Sequence, residues 1–167
     1  MMRAPVRRFA LALHVVVSVG SVGAVASFMA LAVAGIASPD AMLVRSAFVA
    51  MAYLAPFVVV PLVLSSLATG LWSSLGTNWG LIRHYWIATK LALTVVASVV
   101  LLLQIELIER LGQAVAAGMP LPTGQHGGPA ALLVHSAGGL LVLIANAVIS
   151  VYKPWGPTSN NAQRKLG

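Results

Sequence analysis

Residues 10–37 read ALALHVVVSVGSVGAVASFMALAVAGIA, and no Asp, Glu, Lys or Arg interrupts them. A hydrocarbon core about 30 Å thick is crossed by about 20 helical residues at a rise of 1.5 Å each, so this stretch is long enough to span a bilayer once. Three further runs have the same character: 47–71, 85–105 with Lys90 as its one charge, and 129–152. The pattern predicts an all-α protein, a transmembrane four-helix bundle over residues 10–152. A basic segment, 1–9, precedes the bundle and a polar tail, 153–167, follows it. A cleavable signal peptide has an apolar stretch of about 7–15 residues; the first run is much longer and reads as a retained helix.

Composition excludes a water-soluble alternative. Apolar residues are 59% of the chain and charged residues 8%, against about 25% charged in an ordinary soluble domain. Too few polar side chains remain to cover a core built from four such runs. The absence of cysteine removes disulfides, thiolate metal sites and a cysteine nucleophile.

The net charge of +7 is informative through its distribution. With the amino terminus in the cytoplasm, the inner side carries Arg3, Arg7, Arg8, Arg83, Lys90, Lys153, Arg164 and Lys165, leaving Arg45 and Arg110 outside. Eight against two predicts both termini cytoplasmic and a multi-pass protein of the inner (plasma) membrane. The basic clusters read as anchors on anionic lipid head groups, and nucleic acid is not an expected partner. Trp72, Trp79, Tyr85 and Trp86 mark the inner interface, where amphipathic rings concentrate.

Local punctuation fits these divisions. Ser38-Pro39-Asp40 ends the first helix and supplies a cap for the next. Pro56 and Pro61 fall inside the second crossing, where each removes a backbone hydrogen bond and kinks the helix. Residues 112–128, with Pro120, Pro122 and a glycine-rich end, read as the one long outer loop, opened by a short interfacial helix through Leu111, Val115 and Met119. Small residues four apart, Gly20 with Ala24 and Gly23 with Ser27, together with Gly138, Gly139 and Ala145, predict close packing of the first helix on the fourth.

Depth sorts the polar residues of the crossings into two layers. His14, Ser65, Lys90 and Asn146 lie about five to seven residues in from the cytoplasmic ends, and Gln104, Glu106 and His135 form an outer layer. Polar groups at such depth face the bundle interior and pair with one another. Spacing places Lys90, Thr94, Ala97, Leu101 and Gln104 on one face of the third helix, and His135, Gly139, Val142 and Asn146 on one face of the fourth.

Three chemistries compete for these layers. A scaffold whose polar groups set helix register is the leading reading. A path for protons or a small polar solute is the alternative, and four helices enclose so little lumen that it requires a homo-oligomer or a partner membrane protein. Haem or metal ligation by His14 and His135 is the third. About 14 Å of depth separates that pair at 1.5 Å per residue, so no cofactor is expected and no metal ligand set is assigned. No catalytic triad, paired acids or phosphate-binding glycine motif occurs, and an enzymatic role is not indicated.

The run Gly76-Thr77-Asn78-Trp79-Gly80-Leu81-Ile82-Arg83-His84-Tyr85-Trp86, with Lys90-Leu91 and the exit Val151-Tyr152-Lys153-Pro154, resembles small bacterial, often actinobacterial, integral membrane proteins that share a domain of unknown function. The resemblance implies the same four-helix plan and carries over no ligand or reaction. A more distant similarity to copper-resistance membrane proteins would imply copper handling, but the chain lacks the Met/His cluster which that chemistry uses.

Overall fold

The computed structural model describes residues 3–75, 85–121 and 128–152. Its elements are α1 (Ala4–Ala37), α2 (Ala41–Leu54), a π-helical turn (Ala55–Val59), α3 (Val60–Leu75), α4 (Tyr85–Ala116) and α5 (Pro129–Tyr152). The segment Ala41–Leu75 is continuously helical and counts as one crossing of 35 residues, so among the described residues four helices are long and apolar enough to span a membrane. It is built as a multi-pass membrane protein.

The first three crossings exceed the apolar runs that announced them, because good helix formers continue through the charged flanks, whereas α5 matches its run at 129–152. α1 begins at Ala4 with Pro5 in its first turn, where the missing N–H costs nothing. Asp40 caps α2 by accepting from the Met42 N–H at 2.9 Å, and Ser38 Oγ accepts from the Asp40 N–H at 3.0 Å. The greatest departure from expectation is in α4. The helix passes through Gly112 to Ala116, so the expected short interfacial helix is its last turns, with Leu111 and Val115 buried. Gly118 stops it at a φ of 75°, a left-handed conformation in which glycine carries no Cβ penalty. The Gly118 N–H reaches Val115 O at 3.1 Å and the Met119 N–H reaches Ala114 O at 2.9 Å. Arg45 crosses from α2 to donate to Ala116 O at 2.6 Å, placing a cation on the negative end of the α4 dipole.

The π turn answers the two prolines of the second crossing. Pro56 lies in its first turn, where an unbroken α-helix would press the ring against the carbonyl four residues back. The wider turn relieves that clash, closing with a bond from the Val60 N–H to Ala55 O. Its Ala55 and Val59 face the core.

Around the bundle, neighbours follow chain order. α1 packs on the second crossing and on α5, and α4 packs on the same two; among the described residues, no Cα atoms of the diagonal pairs come within 8 Å. We call the end where α1 begins and α5 stops proximal, and the opposite end distal. At the distal end α2 packs tightly on α1 and α4. Phe48, Met51, Leu111 and Leu132 are buried there, and an added Cβ on Gly35 would lie 2.9 Å from the Phe48 ring. At Gly112 it would lie 2.5 Å from Ala52 Cβ and 3.2 Å from Phe48 O, so α2 and α4 meet almost backbone to backbone. In lipid such approach replaces burial from water as the source of association. α1 does pack on α5, as expected from their small residues, but Gly20 abuts Leu62 of α3 and Gly23 has nothing within 4 Å.

Candidate functional site

At the proximal end the polar side chains divide between two seams. On the α1–α3 seam, His14 Nδ1 lies 3.0 Å from Thr69 Oγ1, and the hydroxyls of Ser18 and Ser66 are 2.8 Å apart. The Thr69 hydroxyl also reaches Ser65 O at 2.7 Å. A hydroxyl has one proton to give, so with that proton on the carbonyl Thr69 accepts from a protonated Nδ1. Gly70 makes room for the imidazole, since a Cβ there would meet His14 Cε1 at 3.2 Å.

On the α4–α5 seam the bonds close a ring. The Lys90 ammonium donates to Ser150 Oγ, and Ser150 donates to Asn146 O at 2.7 Å. The Asn146 amide then donates to Thr94 Oγ1 at 2.9 Å, and Thr94 donates to Lys90 O at 2.8 Å. Each residue serves its neighbour on the facing helix or one turn back. Lys90 is within electrostatic reach of His14, but no hydrogen bond joins the two seams among the described residues.

Of the four residues assigned to the inner layer by depth, His14, Lys90 and Asn146 take part in these seams. Ser65 does not, because its side chain is exposed and only its carbonyl contributes. Ser66 and Thr69, both buried, hold the positions facing α1. Thr94 was legible from its face on α4; Ser18, Ser66, Thr69 and Ser150 were not assigned, although Ser18 stands one turn from His14 and Ser150 one turn from Asn146, while Ser66 and Thr69 carry no such signal.

The outer-layer residues gather distally between α4 and α5. Gln104, Glu106 and His135 line a cavity of about 260 Å³ together with Arg110. Glu106 and Arg110 form an exposed ion pair one turn apart. Gln104 and His135 also line a second cavity, about 380 Å³, that runs toward the proximal end among Val25, Phe28, Val63 and Leu101. Residues of the two polar faces read from spacing, Thr94, Ala97, Leu101 and Gln104 on α4 and His135, Gly139 and Val142 on α5, lie on its wall. The Gln104 Oε1 atom is buried without a hydrogen-bond partner.

His14 and His135 stay apart, the first against α3 near the proximal end and the second at the distal mouth. Among the described residues no three His, Asp or Glu side chains gather where they could hold a metal ion. His84 and His126 lie outside the described residues, as do Arg83, Lys153, Arg164 and Lys165. No protein-family model, curated protein or solved structure matches this chain.

Proposed function

We propose that the protein is a scaffold of the plasma membrane, a four-helix bundle with both termini in the cytoplasm whose proximal polar groups serve as fasteners between helices. The observation that carries this reading is the closed ring of Lys90, Ser150, Asn146 and Thr94. Its bonds run across one helix seam and back, which holds α4 to α5 and leads nowhere. A proton or solute path would need polar groups in succession along the bundle axis. Between the proximal seams and Gln104 the buried hydroxyls of Ser21, Ser98 and Ser136 are each turned back onto a carbonyl of their own helix, and Val25, Phe28, Val63 and Leu101 line the space between. The orientation rests on the eight-to-two distribution of basic residues.

Two measurements test the proposal. A reporter fused after Gly167 is expected to be active only in its cytoplasmic form, and activity outside the cell overturns the orientation. Lys90→Met keeps the side-chain length and removes the charge. An ammonium at the centre of a spanning helix costs about 2.5–3.5 kcal/mol on the insertion scale and less toward the interface. An interhelical polar bond in a membrane returns only about 0.6 kcal/mol on average. The variant is therefore expected to insert and to melt in detergent at least as well as the parent, and to complement a deletion strain. A stable variant that fails to complement overturns the scaffold in favour of a path through Lys90.

A further inference from the structure

Among the described residues, α1 is the one helix that outruns the bundle proximally. The His14–Thr69 and Ser18–Ser66 bonds set its register against α3, and counting outward from them puts Leu75, the end of α3, level with about Phe9. The approach of Gly139 to Val25 does the same for α5, whose last residue, Tyr152, comes level with about Ala12. The Lys90–Ser150 bond then places Tyr85, the start of α4, level with about Phe9 as well. Residues 4–8 of α1 therefore overhang the other helices by about 7 Å at 1.5 Å per residue.

The overhang is sided. Steps of three and four residues carry the buried face of α1 from Phe28, Val25 and Ser21 through His14 to Ala10, which is 1% exposed; the next residues on that face are Arg7 and Arg3. Their guanidiniums stand over the end of the bundle. Arg8 instead continues the outward face of Val15 and Val19, 51% and 67% exposed, and belongs with the surrounding head groups.

Nothing in the chain neutralises the inward pair. The chain has three acids, Asp40, Glu106 and Glu109, and all of them lie distally. No described residue accepts a hydrogen bond from Arg3 or Arg7, and further in, the Lys90 ammonium has only the neutral Ser150 hydroxyl as its described acceptor. Like charges one turn apart on a helix repel, so this end calls for an anion. The residues select its class. Two guanidiniums present forked donors that match the oxygens of a phosphate. A phosphomonoester carries a charge of about −1.5 to −2 at pH 7 and balances both, whereas a carboxylate balances one.

We propose that Arg3 and Arg7 hold the phosphate of a phosphomonoester over the proximal end of the bundle. Two sources could present that group, a soluble compound or the head of phosphatidic acid, and the inward face on which the arginines stand favours the soluble one. The site goes beyond the scaffold reading and makes no use of the Lys90 variant; only its opening on the cytoplasm rests on the orientation proposed above.

The test is calorimetric titration of the full chain, in phosphatidylcholine nanodiscs at fixed ionic strength, with phenyl phosphate. Binding of one molecule per chain is expected, with benzoate about tenfold weaker. Arg7→Gln and Arg3→Gln should each weaken phenyl phosphate about tenfold, roughly the loss of one charge-assisted hydrogen bond, whereas Arg8→Gln should change it by less than about twofold. All three side chains are exposed, so the variants should melt with the parent, and a lost signal is then a lost contact and not a lost fold. Equal weakening by Arg8→Gln would reveal diffuse attraction to a basic end and overturn the site. Equal binding of benzoate overturns the phosphate class. Phenyl phosphate should bind equally well in nanodiscs given the same negative charge by phosphatidic acid or by phosphatidylglycerol; a loss confined to phosphatidic acid, relieved in neither arginine variant's absence of the site, assigns the pair to the lipid and overturns the soluble ligand.

Discussion

Gly112 shows at the residue scale how little space this bundle spares. Its missing side chain is what allows α2 and α4 to meet, because a Cβ would sit 2.5 Å from Ala52 Cβ with Phe48 O close behind. Gly112→Ala is expected to force the helices apart and cost about 1–3 kcal/mol, the usual penalty of overpacking. Gly23→Ala should do the reverse: nothing lies within 4 Å of its added methyl, and removing a mid-helix glycine stabilises by roughly 0.5–1 kcal/mol. Melting both variants in the same detergent checks the contrast, and an equal response would refute the close α2–α4 approach. Gly112 was hidden in the sequence because Glu106, Glu109 and Arg110 just before it resemble the edge of a loop. Ser65 was misplaced for another reason. Counting residues inward gives depth but not the direction in which a side chain points, and at nearly the same depth it is Ser66 and Thr69 that face α1.

Among the elements, α2 shows how a short turn is made to hold. Only Ser38, Pro39 and Asp40 separate it from α1, and both polar side chains are used on backbone N–H groups. Replacing an N-cap aspartate by alanine costs about 0.5–2 kcal/mol. Asp40→Ala is therefore expected to lower the melting temperature and to speed amide exchange in the first turn of α2, residues 41–44. Unchanged exchange there would mean that packing against Gly35, not the cap, sets the start of the helix. This turn was legible from sequence because its signals are local. The extent of α4 was not, since its true stop, Gly118, lies two residues beyond a stretch that reads equally well as loop.

For the whole molecule, the number of crossings and the faces that α4 and α5 turn inward were readable because length and periodicity carry them. Of the neighbour order only the α1–α5 contact was read, from small residues; the rest was not, as all four crossings offer them. The observed order can be checked directly, since the chain has no cysteine and any introduced pair reports alone. Ser18→Cys with Ser66→Cys replaces hydroxyls 2.8 Å apart and is expected to form a disulfide in membranes under mild oxidation. Ser18→Cys with Ser98→Cys, across the α1–α4 diagonal, should not. Efficient diagonal bridging would refute the neighbour order. The π turn at Ala55–Val59 bears on how such a molecule tolerates change in length. Each residue in a helix advances the direction of all that follow by about 100°, so an insertion or deletion normally turns half a crossing away from its partners. A wide turn already holds surplus chain, and the halves of this crossing are packed separately, α2 against Gly112 and α3 against His14. Deleting Phe57, whose ring is exposed, would close the wide turn to an ordinary α turn and leave Ser66 and Thr69 still facing α1. The proximal seam can thus keep its reading frame through the loss of one residue half a membrane away.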